Sequence, residues 1–316
     1  MPRAIGANSK LHLATETTYG TPPGGNWRLM PFVSCDLGAE QPFIDADVIG
    51  LAPNRDVAPP FRDIVTVQGR AVVPVDLAFI GDLLRLLLGP PTTTGTAPDF
   101  QHVFVSGASP PPSVSLELAY PEVPSFDVIA GVRADTFEID FSPSGAATAT
   151  FGLIGQGSTR SATSSAGTPI TRDYTAFNKA QGSIRRNGTP LAQITGGRIN
   201  FSNGAEIVRT IRDDLRIEGV DPGLARATGQ ITSRFESTLL LDDAASNAAL
   251  EIDFEYRISA TRRLTVTLHE TYLALAKTPI QGPAGIEANF EFRAAFNPAA
   301  GRMMTVTLRN GVDSYA

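Results

Sequence analysis

Glu251, Asp253 and Glu255 alternate along Leu-Glu-Ile-Asp-Phe-Glu-Tyr. On an extended chain, side chains two positions apart share a face, so this spacing sets three carboxylates side by side. Such a row can ligate a hard cation or supply an acid/base pair. The surroundings support neither: no glycine-bounded calcium loop brackets the row, and no histidine or second acidic cluster is recognisably paired with it. Asp45 with Asp47 reads as a solvated loop pair, and Asp242 with Asp243 as solvated acids near a helix. His12, His102 and His269 are far apart and have no metal-binding spacing, so each is expected as a partly buried strand residue.

Nucleotide and nucleophile chemistry is equally thin. Gly155-Gln156-Gly157 lacks a third glycine and runs into a Ser/Thr tract where a dinucleotide loop needs a helix. There is no Walker loop and no Gly-x-Ser-x-Gly elbow. Arg185 and Arg186 precede Asn187-Gly188, the signature of a tight hairpin turn, and read as solvated strand residues. Cys35, without a nearby histidine, reads as a small buried hydrophobe. The expectation is a non-enzymatic protein with no metal and no cofactor.

The elements that would position these residues are mostly strands. One segment breaks the pattern: Leu77, Ile80, Leu83, Leu84, Leu87 and Leu88 recur at helical spacing, Asp76 can cap the start, and Gly89-Pro90-Pro91 stops the run. The spacing predicts a helix over 76–88 with Ala78, Asp82 and Arg85 on its polar face. Val114, Leu116, Leu118 and Tyr120 alternate with Ser115, Glu117 and Ala119, and Phe137, Ile139 and Phe141 alternate with Thr136, Glu138 and Asp140. Each pattern predicts a half-buried strand with its acids outward. Residues 10–32 read as an extended arm or edge strand able to touch a neighbour.

Composition bounds the rest. A chain of 316 residues with 42% hydrophobic content can bury a substantial core, and a net charge of −6 argues against a protein that grips phosphates. The leucine-rich run is interrupted by charge well short of a bilayer span, and the N-terminus has no apolar signal core, so neither a membrane span nor a secretory signal is expected. A single cysteine cannot form an internal disulfide and fits a reducing compartment.

Residues 156–171 form the most linker-like tract in the chain, rich in Ser, Thr, Gly and Ala. Beyond it the pattern restarts: Leu37-Gly38-Ala39-Glu40 opens a long loop in the first half and Asn203-Gly204-Ala205-Glu206 opens one in the second. A strand then leads to a helical pattern over 237–249, an alternating strand from Leu250 to Tyr256, and a final hairpin. The expected organisation is two related β units, 1–155 and 172–316, each flanked by a short helix.

The segments Asp36-Leu37-Gly38-Ala39-Glu40, Pro59-Pro60-Phe61-Arg62-Asp63-Ile64-Val65-Thr66-Val67, the helix running into Leu88-Gly89-Pro90-Pro91-Thr92-Thr93-Thr94-Gly95-Thr96-Ala97-Pro98, and Pro121-Glu122-Val123-Pro124 carry a resemblance. Through them the chain resembles the major tail tube proteins of long-tailed, siphovirus-type bacteriophages. The resemblance implies a mainly β fold, a sandwich or barrel with a flanking helix, in subunits that form rings stacked into a hollow tube for genomic DNA. It implies hexameric rings for single-copy members and a pseudo-sixfold trimer for a chain with two copies, the homohexamer being the alternative. Tape measure, tail terminator and baseplate or distal tail proteins are the implied partners, with double-stranded DNA in transient passage and no membrane. The implied location is the virion, after assembly in the host bacterial cytoplasm.

Under this reading Glu117, Glu138, Asp140, Glu251, Asp253 and Glu255 are candidate lumen-facing acids, because like charge keeps a polyanion from adhering. Pro42, Phe43, Asp45, Asp47, Arg55, Phe61 and Arg62 in one long loop, and Arg209, Arg212, Asp213 and Asp214 in the other, are candidate contacts between rings. The ordinary role for all of them is solvation. The competing function is a monomeric β-sandwich binding module of carbohydrate or adhesin type, which one Trp and six scattered Tyr do little to support.

Overall fold

Alternating apolar residues pair wherever a second alternating segment can complete their hydrogen bonds, and most of this chain is used that way. The computed structural model describes residues 3–50, 54–109, 111–280 and 282–315, and is 49% strand and 7% helix. The first half contains β1 (Lys10–Thr15), β2 (Arg28–Met30), β3 (Ser34–Cys35), β4 (Gly38–Glu40), β5 (Phe43–Ile44), β6 (Phe61–Arg62) and β7 (Thr66–Pro74). It continues with α1 (Ile80–Leu88), β8 (Thr92–Thr96), β9 (Asp99–Val105), β10 (Val114–Tyr120), β11 (Ser125–Phe141), β12 (Thr148–Gly155) and β13 (Gly157–Ser161). The second half contains β14 (Gly182–Arg186), β15 (Thr189–Pro190), β16 (Ile194–Ser202), β17 (Glu206–Val208), β18 (Gly219–Asp221) and β19 (Arg226–Arg234). It ends with α2 (Leu239–Ser246), β20 (Leu250–Ser259), β21 (Arg262–Leu273), β22 (Glu287–Ala294) and β23 (Met304–Asn310).

The two halves repeat one pairing scheme. In the first, β1 pairs with β10, β10 with β11, β11 with β12 and β13, and β12 with β7. In the second, β14 pairs with β20, β20 with β21, β21 with β22 and β23, and β22 with β19. A helix follows the equivalent strands β7 and β19, and each long loop carries a small hairpin, β5–β6 or β17–β18. The hairpin β8–β9 occurs in the first half, where β9 pairs with β23. The halves are sewn together along β11 and β16, and one apolar core runs through both.

Four expectations need correction. The helix begins at Ile80, not at residue 76; the Asp76 carboxylate accepts the main-chain N–H groups of Ala78, Phe79 and Ile80, each at 2.9 Å, in the turn before it. Its polar face is not in water, because Asp82 is buried against Arg28 and Arg172. Residues 10–15 are no free arm: β1 is paired on both edges, to β10 and β2, with Leu11 and Leu13 in the core. The tract 156–171 is not a plain linker, since 157–161 form β13 on β11 and Ile170 exchanges main-chain hydrogen bonds with Trp27 and Leu29. A strand needs only its backbone to close an open edge, so a lack of large side chains did not prevent it.

Candidate functional site

Direct ladder partners share a face of the sheet, so the surface around each candidate residue can be read strand by strand. Starting from β11, Glu138 stands opposite Thr150 on β12 and Asn200 on β16; Asn200 stands opposite Thr228 on β19, and Thr228 opposite Arg293 on β22. One step along, Asp140 stands opposite Arg198, Arg198 opposite Gln230, and Gln230 opposite Glu291. These residues form one continuous polar face. The side chains between them, Phe137, Ile139, Phe201, Ile231, Phe290 and Phe292, lie in the core.

This face balances its charges. Arg198 approaches Glu138 at 3.4 Å and Asp140 at 3.9 Å, and Lys179 holds the other oxygen of Asp140 at 2.7 Å. An open depression of about 670 Å³ lies over Arg198, Gln230, Tyr272, Glu291 and Arg293. Arg198, Glu291 and Arg293 were not among the residues expected from sequence; their signal was the alternation in 197–202 and 288–293.

Two of the six acids are corrections. Glu117 is fully buried, where it meets His12 Nδ1 at 2.9 Å and accepts hydrogen bonds from the Ser164 hydroxyl at 2.6 Å and the Ser165 N–H at 2.5 Å. Its strand is covered on both faces, because the Glu16 carboxylate, which accepts from Ser113 and Ser115, and residues 164–165, which donate to Glu117, lie over the side expected to face water. Glu255 is also buried, paired with Arg185 at 3.0 Å and Arg263 at 3.6 Å and accepting from Thr265 at 3.2 Å. Neither carboxylate presents charge at the protomer surface.

Glu251 and Asp253 are half-buried on β20, between β14 and β21, away from the Glu138 row. Asp253 accepts from Thr267 at 2.6 Å, and burial pushes its carboxyl above the usual range. His269 Nδ1 lies 3.3 Å from Glu251. Asp243, expected in solvent, is buried and held by Arg186. Among the described residues no three His, Cys, Asp or Glu side chains converge as a metal site, and no helix is long and apolar enough to cross a membrane.

In the first long loop, of which residues 51–53 lie outside the described residues, Pro42, Phe43, Asp45, Asp47, Arg55, Phe61 and Arg62 are all exposed. Phe43 and Phe61 are each about two-thirds exposed, and Val48, Ile49 and Val57 are exposed beside them. In the second, Arg209, Asp213 and Asp214 are exposed, while Arg212 is half-buried and bridges Asp214 at 2.9 Å and Glu218 at 2.5 Å. The Arg212 guanidinium holds the Asp214 carboxyl down to about 2. The first loop offers apolar side chains, and the second offers a set of ion pairs beside the exposed Ile211, Leu215 and Leu224.

No curated protein matches the chain. A family model described as phage tail tube protein matches residues 6–294, from before β1 to the end of β22, and so covers every strand but β23, with the seam between the two sets. The chain belongs to the phage tail tube protein family.

Proposed function

We propose that copies of this chain close into rings of three with a pseudo-sixfold wall, and that the rings stack into the hollow tube through which double-stranded genomic DNA leaves the virion. The family is structural and not enzymatic, and places the chain in the phage tail. The observation that carries the finer reading is the repeated pairing scheme: each chain brings two equivalent strand sets already joined side by side. A head-to-tail contact that closes gives a ring, and like ring faces repeated along an axis give a filament.

In this reading the wall of the lumen is the polar face that runs over β12, β11, β16, β19 and β22. Glu138 and Asp140 stand there with Arg198, Glu291 and Arg293, and this mixture offers a passing duplex no net basic surface to grip. Glu251 and Asp253 lie off that wall. Phe43, Phe61, Arg62 and the other residues of the first loop contact the next ring, joined by Arg209 and Asp213 of the second. The tape measure protein occupies the lumen during assembly, which takes place in the host cytoplasm, and terminator and baseplate or distal tail proteins close the ends. No cofactor is required.

Electron microscopy of the concentrated protein tests this directly. End-on views with threefold symmetry and a sixfold-looking wall are expected. Six full chains per ring would keep the tube and reject the pseudo-hexamer, whereas monomers across protein and salt concentrations, with and without tail initiator proteins, would reject the assembly.

A further inference from the structure

Asp82 and Arg85 stand three residues apart on α1 and so share one of its faces. That face meets β1 and β2. Arg28 on β2 is the ladder partner of Leu13, and Thr15 lies two residues further along the same side of β1. Arg28 reaches Asp82, Arg85 reaches Thr15, and Arg172 approaches Asp82 from the segment after β13. Three stretches of chain far apart in sequence therefore bring three guanidinium groups around one carboxylate.

Their charges do not balance. Asp82 gives one oxygen to Arg28 at 3.0 Å and the other to Arg172 at 2.6 Å. Arg172 also donates to the Ala78 carbonyl at 3.0 Å and lies over the Tyr315 ring, 5.1 Å from its centroid. Arg85 is left without a carboxylate. One of its Nη atoms reaches the Thr15 hydroxyl at 3.3 Å, while its Nε is enclosed by protein and has no hydrogen-bond partner. The acids nearby are already engaged. Asp76 accepts three main-chain N–H groups at the start of the helix. Glu16 turns to the opposite side of β1, where it accepts from Ser113, Ser115 and the N–H groups of Gly20 and Gly131.

A half-buried guanidinium beside a second one is unfavourable unless an anion stands with them, because water is partly excluded and N–H groups cut off from it cost free energy. Burial pushes the Arg85 guanidinium below its usual range, Arg28 beside it pushes the same way, and Asp82 opposes them. Arginine nevertheless stays charged, so relief comes from an added negative group. Its N–H groups form a planar fork that fits two oxygens of an oxyanion better than a spherical halide.

We propose that Arg28 and Arg85 together bind a small oxyanion of the phosphate or sulfate class. The Arg85 fork and the N–H groups of Arg28 not given to Asp82 hold its oxygens, and the Thr15 hydroxyl, which accepts from Arg85, donates its own proton to it. Bound there, the anion clasps β1 and β2 to α1. None of these elements belongs to the polar face over β12, β11, β16, β19 and β22, so the site is separate from the proposed lumen wall and does not depend on the ring.

The test is thermal unfolding of dispersed wild-type chains in sodium phosphate or sulfate against chloride at equal ionic strength. A ligand that binds only the folded state raises the midpoint progressively with its concentration. Such a rise is expected in phosphate and sulfate and not in chloride; equal rises in all three overturn the site. Arg85→Gln removes the fork and is expected to weaken the apparent phosphate affinity about tenfold or more, the factor a charge-assisted hydrogen bond is worth. Arg198→Gln, on the polar face, is expected to leave that affinity unchanged. A response that survives Arg85→Gln, or that disappears with Arg198→Gln, overturns the assignment. Thr15→Val keeps both arginines and the fold, and guards against an Arg85 variant that does not fold: a weakened phosphate response is expected, and an undiminished one overturns the site. A midpoint that climbs with protein concentration in chloride alone, and no longer does so in Arg85→Gln, would assign the anion to a carboxylate of a second copy and overturn the small-ion reading.

Discussion

Gly81, in the second position of α1, packs against the ring of Tyr315 so closely that a Cβ there would collide with the ring's Cζ and both Cε atoms. Tyr315 donates its hydroxyl to the Ala78 carbonyl at 2.7 Å and accepts from the Asn310 amide at 2.8 Å. The C-terminal tail is thereby fastened beneath a helix some 230 residues earlier in the chain. Gly81→Ala forces these two groups apart, and overpacking of this kind costs about 1–3 kcal/mol. Denaturant unfolding is expected to show that loss in the wild type and a smaller one in a Tyr315→Leu background. Equal losses in the two backgrounds would separate glycine from tyrosine.

Asp82 receives Arg28 at 3.0 Å and Arg172 at 2.6 Å, with its side chain almost fully buried. Asp82→Asn leaves two guanidinium groups facing a neutral amide. Breaking a buried pair from one side costs about 3–5 kcal/mol. A lowered midpoint in urea with an unchanged slope is the expected result.

Arg212 lowers the Asp214 carboxyl from its ordinary value of 3.8 to about 2. A carboxylate depressed in the folded state adds stability above its unfolded value and loses it as pH falls through the folded one. The contact is therefore complete above about pH 4 and released near pH 2. Side-chain carboxyl shifts followed by NMR are expected to titrate there, and Arg212→Ala returns Asp214 towards the ordinary value.

Reversing Glu138 and Asp140 to Lys together, beside Arg198 and Arg293, turns a balanced face basic. Tails carrying both changes are expected to eject DNA more slowly, most strongly at low salt, where the phosphate attraction is least screened. Normal ejection kinetics at low salt would remove these residues from the lumen.

Deleting 42–59 removes the exposed Phe43, Ile44, Val48, Ile49 and Val57 of the first loop and leaves Phe61. Protomers of that variant are expected to unfold with wild-type cooperativity and to form rings that do not stack. Tubes of normal length would end the loop assignment.

Much of this architecture was legible in the sequence, because alternation names the residues that share a face. Leu250, Ile252, Phe254 and Tyr256 are all buried, as their spacing requires. What alternation leaves open is whether the second face is covered too. Alternation puts Glu117 and Glu255 in water, but their cover comes from Ser164 and Ser165 in one case and from Arg185 and Arg263 in the other, which no local pattern reveals. Local similarity between the two halves does not align their strands. The recurring Gly-Ala-Glu motif puts Glu40 in a ladder beside Thr66 and Glu206 in a loop hairpin opposite Asp221. The equivalent residues are found instead through Gly69 and Gly229, where two backbones approach too closely for a side chain.

The hairpin β8–β9, fully exposed along Thr92–Thr96, belongs to the first strand set, and its strand β9 borders β23 of the second. Around a closed trimer it would recur at every other one of the six wall positions. A decorating protein that recognises this ridge would count three berths per layer, whereas one that reads the polar sheet would count six. Symmetry mismatch between a tail and what attaches to it can thus be set by a single insertion in one copy of a repeat.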